Sequence, residues 1–250
     1  MTALAVSIED EVAAALGTVI DPELDEPITS LGFVRSVTIS DAGVEVHLRL
    51  PTAFCAPNFA YLMVSDAYDA LGAVPGVGEV CVLLDEHHDS DKINAGTTAG
   101  LGYREIYGDE AEDSLDELRL TFQRKAHTAA MERCCQAMLA RRTWTMEELP
   151  LMELLDLPED AKKAALLRRR EAIGLPTDPH ARVMVDHDGN PVDPARSEMF
   201  LRLARATRIS IEGNGHFCRG LLATRYAGSG AGTEGYAPVI TNTITHRRHS

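Results

Sequence analysis

Apolar residues follow two different periods along this chain, and the change from one to the other marks out its elements. Near the start, Ile8, Val12, Ala15, Leu16 and Val19 fall on one helical face. Ser7 stands at the N-cap, and Glu9, Asp10 and Glu11 fill the first turn. This pattern predicts a helix over 8–20, stopped by Asp21-Pro22. Period two then takes over. Residues 34–40 and 44–50, separated by Asp41-Ala42-Gly43, predict a β-hairpin. In its second strand Val44, Val46, Leu48 and Leu50 point one way, and Glu45, His47 and Arg49 the other. A helix over 58–71, a Pro75-Gly76-Val77-Gly78 turn and a strand over 79–84 follow. The order α-β-β-α-β predicts a small α+β domain over residues 1–86.

Beyond it the pattern changes. Residues 87–113 show no sustained period and read as a linker or functional loop. Residues 114–227 read as a mainly helical extension with short hairpins. Ser114-Leu115-Asp116-Glu117 is a capping box, opening a stripe of Leu118, Phe122, Ala126, Ala130, Cys134 and Met138. A second box, Thr145 to Glu148, announces another start, and a third helix is predicted over 159–173. Its Arg168-Arg169-Arg170 run complements the helix dipole at the C-terminal end. A hairpin around Asp188-Gly189 and a helix over 195–206 come next. Strands at 209–211 and 216–218 are then predicted about an Asn214-Gly215 turn. Residues 228–250, rich in Gly, Ser and Thr, are expected to form a flexible tail unless a partner holds them.

Charge narrows the function classes. The net charge is −14, and it is uneven: residues 1–120 hold 23 acids and 5 bases, residues 121–250 hold 15 acids and 19 bases. So acidic a front half repels phosphate backbones, and no nucleic-acid partner is expected. No apolar run has the length of a membrane span, and the first residues lack a basic leader. Five cysteines without a CxxC pair (Cys55, Cys81, Cys134, Cys135 and Cys218) suit a reducing cytoplasm. Neither a P-loop nor a Gly-rich dinucleotide fingerprint occurs.

Cys55 stands out by position. It lies between the end of an alternating strand and the start of a helix, where orphan N–H groups and the helix dipole favour a thiolate. Set in order with three other segments, it resembles a family. Val19-Ile20-Asp21-Pro22-Glu23-Leu24 resembles the Asp-Pro-Glu turn of the SufT and PaaD iron–sulfur assembly domain. Leu31-Gly32-Phe33-Val34, after Pro27-Ile28, resembles its entry to the first strand. Leu50 to Pro57 resembles its cysteine loop, and Pro75-Gly76-Val77 with Val80 and Val82 its last strand. The match covers residues ~5–86. Pro51 and Ala53 depart from the family loop, and Asp85 to Asp91 occupy the place of its Pro-x-Trp exit.

The resemblance implies a non-enzymatic maturation factor that handles iron–sulfur clusters, or iron, for a client metalloenzyme. By the PaaD likeness that client is a bacterial oxygenase, one with a di-iron centre. Cys55 would contact the metal or cluster, supported by Asp21, Glu23 and Thr52. One thiol cannot hold a cluster alone. A homodimer, a partner's ligands or transient transfer would complete the set. Two other readings stand beside this one. The chain could be an adaptor or chaperone-like subunit that carries no metal, or an enzyme using Cys55 as nucleophile with His47 as base.

Further metal donors are candidates against ordinary alternatives. His87, His88, Asp89 and Asp91 offer imidazole and carboxylate groups, though such a run is also an ordinary solvated loop. His216 and Cys218 would share one face of the predicted strand. Cys134 and Cys135 read as helix packing, one of them within the stripe.

Overall fold

The computed structural model describes residues 6–111, 115–233 and 236–244, and it divides into two compact units. One takes in the described residues up to Leu115 and from Asn214 onward; the other is Asp116–Gly213. The architecture is mixed helix and strand, with a small sheet in the first unit and mostly helix in the second.

The first unit opens with α1 (Ile8–Leu16), whose Ser7 side chain accepts the Asp10 N–H as an N-cap. Val12 and Leu16 are buried. The helix ends at Gly17, four residues before Asp21-Pro22, because glycine is a poor helix former and caps the last turn. Val19 packs into the core, and Ile20–Asp21 (β1) pairs with Glu26–Pro27 (β2) around the Asp-Pro-Glu turn. A short helix α2 (Ile28–Leu31) follows. Its C-cap, Gly32, has φ +78°, and a Cβ there would press on the Gly232 backbone at 2.9 Å.

The hairpin forms as the alternation predicts. Strands β3 (Val34–Ile39) and β4 (Gly43–Arg49) are antiparallel, with Val37 opposite Val46 and Ile39 opposite Val44. Helix α3 (Pro57–Gly72) connects β4 to β5 (Glu79–Asp85), which runs parallel to β4. Val44, Val46, Leu48 and Leu50 enter one core with Leu16, Ile28, Phe33, Val64 and Leu71. Burying several such side chains, at about 1.5–3 kcal/mol each, is what fixes the register.

Residues 87–111 are not the irregular stretch that the absent period suggested over 87–113. Helices α4 (Ser90–Thr98) and α5 (Tyr103–Tyr107) lie there. Asn94 in α4 accepts the Leu84 N–H at 2.8 Å and returns a bond to the Leu84 carbonyl at 3.1 Å, closing backbone groups of the edge strand β5. A small, polar α4 leaves no hydrophobic stripe; Ile93 and Gly96 are its buried residues.

In the second unit, α6 (Leu115–Ala140) buries Ala126, Ala130, Cys134 and Met138 of the predicted stripe. The Ser114 capping box lies outside the described residues. Both Cys134 and Cys135 are buried, since α6 is covered on a broader arc than one stripe. At the second capping box, the Thr145 N–H and hydroxyl both donate to Glu148 at 2.9 Å, but they close a turn into a 3-10 stretch. Helix α7 (Ala161–Ala172) has Asp160 as N-cap. Arg170 of the arginine run is buried, donating to the carbonyls of Pro176, Arg182 and Val183. The dipole account therefore fits its neighbours, not Arg170. The Asp188-Gly189 hairpin reduces to a single bridge between Val185 and Pro191.

The largest departure is α8, one helix over Ser197–Arg225, where a helix and a hairpin were expected. Asn214-Gly215 continues the helix instead of turning. Its side chains find partners there: Asn214 donates to Glu23 at 3.2 Å, and Gly215 lies beside Glu26. Tertiary contact overrides local turn propensity. After α8, Val239–Asn242 (β6) adds in parallel to β3, giving the order β5-β4-β3-β6. Part of the expected tail is thus a strand of the sheet.

Candidate functional site

Cys55 sits on the loop between β4 and α3, half-buried and packed on the first core. Ala56 is the N-cap of α3 and Pro57 its first residue, a position suited to proline because no helical N–H is lost. Thr52 shapes the loop: its hydroxyl oxygen accepts the Phe54 N–H at 3.1 Å and lies 3.5 Å from the Cys55 sulfur. Phe54 beside it is 80 % exposed.

The loop is bolted from behind by the segment that replaces the family's Pro-x-Trp exit. His87 is buried, and its Nε2–H donates to the Cys55 carbonyl at 2.8 Å while Nδ1 accepts the Asp89 N–H at 3.2 Å. Those two bonds define the neutral tautomer. Burial lowers the His87 pKa, opposed by the bond to the Cys55 carbonyl. His88 grips Ala53 twice, through its backbone N–H at 3.0 Å and Nδ1 at 2.8 Å. Asp89 accepts from the Tyr107 hydroxyl at 3.0 Å, and Asp91 is exposed in the first turn of α4. The four residues proposed as metal donors thus divide: His87 and His88 hold the cysteine loop, and Asp89 and Asp91 belong to α4 and its approach.

The Asp-Pro-Glu turn supplies carboxylates. Asp21 is buried, and its Oδ1 accepts the Leu24 N–H at 2.8 Å. Burial pushes its pKa up to about 6, against the pull of the Leu24 and Glu23 N–H groups. Glu23 is half-buried and takes the Asn214 amide.

Helix α8 separates the proposed His216–Cys218 pair. Two residues on a helix are about 200° apart, so the side chains diverge; His216 is exposed and Cys218 half-buried on the first core. What α8 does instead is carry Cys218 to the Cys55 side. Burial first, then the charges of Cys55, Asp21 and Glu23, push the Cys218 thiol up to about 11. No local period signals this, because the two cysteines are 163 positions apart in the chain.

His47 has other partners. Its Nδ1 meets Asp85 at 2.8 Å and its Nε2 meets Glu45 at 3.3 Å. Burial disfavours its charged ring, but those two carboxylates outweigh burial and raise its pKa. In the second unit, burial pushes Cys134 up to about 11 and raises Cys135 further, as expected of thiols that pack rather than react.

Among the described residues, no group of three or more His, Cys, Asp or Glu side chains is placed to hold a metal ion. Iron–sulfur clusters are held by thiolates, so Cys55 has the right chemistry for such a cargo but does not amount to a full ligand set. Among the described residues, no helix is long and apolar enough to cross a membrane.

A helix–hairpin–helix–strand unit presents one thiol on a braced loop. Residues 9–82 match the family model described as iron–sulfur cluster assembly protein, and this segment is a domain of that family. Relatives named iron–sulfur cluster carrier protein agree. The one from Mycobacterium leprae (strain TN) is 36 % identical over 89 residues, 35 % of this chain and 23 % of the relative. The one from Mycobacterium tuberculosis (strain ATCC 25618 / H37Rv) is 39 % identical over 82 residues, 32 % of this chain and 21 % of the relative. The chain therefore matches about a fifth of the length of these curated relatives. No solved structure matches it significantly.

Proposed function

We propose that this protein is a carrier that receives an iron–sulfur cluster, or its iron, on Cys55 and hands it to a client metalloenzyme without catalytic turnover of its own. The observation that carries the reading is the braced thiol: Cys55 stands on a loop whose Ala53 and Cys55 carbonyls are fixed by His88 and His87. A rigid loop keeps the sulfur presented while the cargo changes hands. The family domain over residues 9–82 and the carrier names of its relatives support the same reading. The client is a bacterial oxygenase, by likeness to PaaD. The second unit, which the match does not reach, is the part that recognises it, and the exchange takes place in the cytoplasm.

The test is anaerobic loading of the full chain with iron(II) and sulfide, comparing wild type with Cys55→Ser. Bound iron and acid-labile sulfide should fall in the variant, and so should client activation in cells. Equal loading and equal activation would reject the carrier role. Client binding without metal in either protein would favour the adaptor instead.

A further inference from the structure

Helix α8 presents one stripe to the first unit, and every other member of that stripe has a partner in the Asp21–Glu26 turn, at Gly32, or at Leu50 and Glu86. Asn214, Cys218, Leu222 and Arg225 follow at i, i+4, i+8 and i+11, which places them on one helical face. Asn214 donates to Glu23 at 3.2 Å. Leu222 is fully buried beside Gly32. Arg225 donates to the Leu50 carbonyl at 3.2 Å and to the Glu86 carbonyl at 2.7 Å, the residues that open the cysteine loop and precede its brace. Arg219, next to Cys218, bonds Glu26 at the end of the same turn. Cys218 lies one turn between Asn214 and Leu222. Its neighbours on α8 thus reach the Asp21–Glu26 turn at one end and Leu50, where the cysteine loop begins, at the other.

We propose that Cys218 is the second thiol of the Cys55 site, so that this one chain offers an iron–sulfur cargo two sulfur donors, from the loop and from α8. The inference rests on the carrier reading above and deepens it. Cys218 is half-buried against the first core, and after burial itself the charges of Cys55, Asp21 and Glu23 act on it. Two donors do not complete a metal's coordination, in keeping with the absence of any three-ligand group among the described residues. An incomplete set suits cargo that must leave again.

Transfer is then a ligand exchange without redox change. Each protein thiol forms a sulfur–iron bond and releases its proton, and each displaced thiolate of the donor takes a proton and leaves as a thiol. The high pKa of free Cys218 is no obstacle, because a coordinating metal deprotonates a thiol outright.

Two measurements on the full chain test this. Dibromobimane, which bridges neighbouring thiols, should join the peptides carrying Cys55 and Cys218 in the wild-type protein, a readout that needs no variant. In anaerobic iron and sulfide loading, Cys218→Ser and Cys218→Ala should both lose bound iron and sulfide as Cys55→Ser does. With cobalt(II) as probe, each variant should lose about half of the thiolate charge-transfer band, one of two sulfurs being gone. Wild-type loading in both Cys218 variants, with loss only in Cys55→Ser, would overturn the second thiol and leave the carrier function standing. Failure of wild type itself to load would overturn both. An absent bimane bridge would place the two thiols apart and overturn the inference whatever the loading.

Discussion

The backbone N–H of Leu24 donates a 2.8 Å hydrogen bond to Oδ1 of Asp21, and this bond shapes the Asp-Pro-Glu turn. The same carboxyl is buried, with its pKa raised to about 6 from 3.8. A raised carboxyl contributes stability fully present below the unfolded value, near pH 3.8, and lost as pH rises through about 6. At pH 7 the ionised Asp21 therefore costs stability, on the order of 1–3 kcal/mol at 1.36 kcal/mol per pKa unit. Asp21→Asn keeps the acceptor oxygen and removes the charge. It should be more stable than wild type at pH 7.5, and the difference should close by pH 4 in urea titrations. Parallel curves for the two proteins would refute the assignment.

Removing the brace should loosen the thiol without unfolding the domain. His87→Ala deletes the bond to the Cys55 carbonyl, at a cost of about 1–2 kcal/mol. Amide exchange over 52–56 should quicken, and retention of loaded iron should shorten. Unchanged exchange in that loop would mean the brace is dispensable.

The parallel pairing of β4 and β5 depends on Gly43. A Cβ there would overlap the Glu79 carbonyl, a backbone atom that cannot swing aside. Gly43→Ala should therefore lower stability by at least about 3 kcal/mol, at the top of the range for overpacking. Thermal or denaturant unfolding reads this directly, and a near-neutral variant would show that the strands are spaced differently.

His127 of α6 titrates in the opposite sense from Asp21. It is fully buried, neither ring nitrogen has a hydrogen-bond partner among the described residues, and burial, with Arg170 next, pushes its pKa down to about 4. A lowered histidine contributes stability present above the unfolded value of about 6.5, and that stability drains as pH falls toward 4. His127→Leu should flatten stability between pH 6.5 and 4. At pH 7.5 it should cost little, since no hydrogen bond is lost. A pH slope unchanged from wild type would place the acid sensitivity elsewhere.

Hydrophobic period was enough to read α1, β3, β4, α3 and β5, though not the short β1, β2 and α2. Val44, Val46, Leu48 and Leu50 alternate because one face of β4 is buried, and a one-residue slip would turn all four out to water. Cys55 and Thr52 stand on the short loop between strand and helix where the sequence placed them, since that placement depends only on neighbours a few positions away. Helix α4 was not legible, because its stability comes from Asn94 closing the edge of β5, a contact between elements that leaves no stripe.

The sequence by itself therefore determined the α-β-β-α-β order, the inward face of β4 and the position of Cys55 between strand and helix, all set by local periodicity and capping. Only the tertiary structure decided that Asn214-Gly215 stays helical, that His87 and His88 brace a loop, and that Cys218 packs on the first core. Those outcomes turn on partners 30 to 190 residues distant, such as Cys55 for His87 and Glu23 for Asn214. Contacts at that separation are chosen by burial and hydrogen bonding in the folded chain, where they outweigh the small local preferences that a sequence window records.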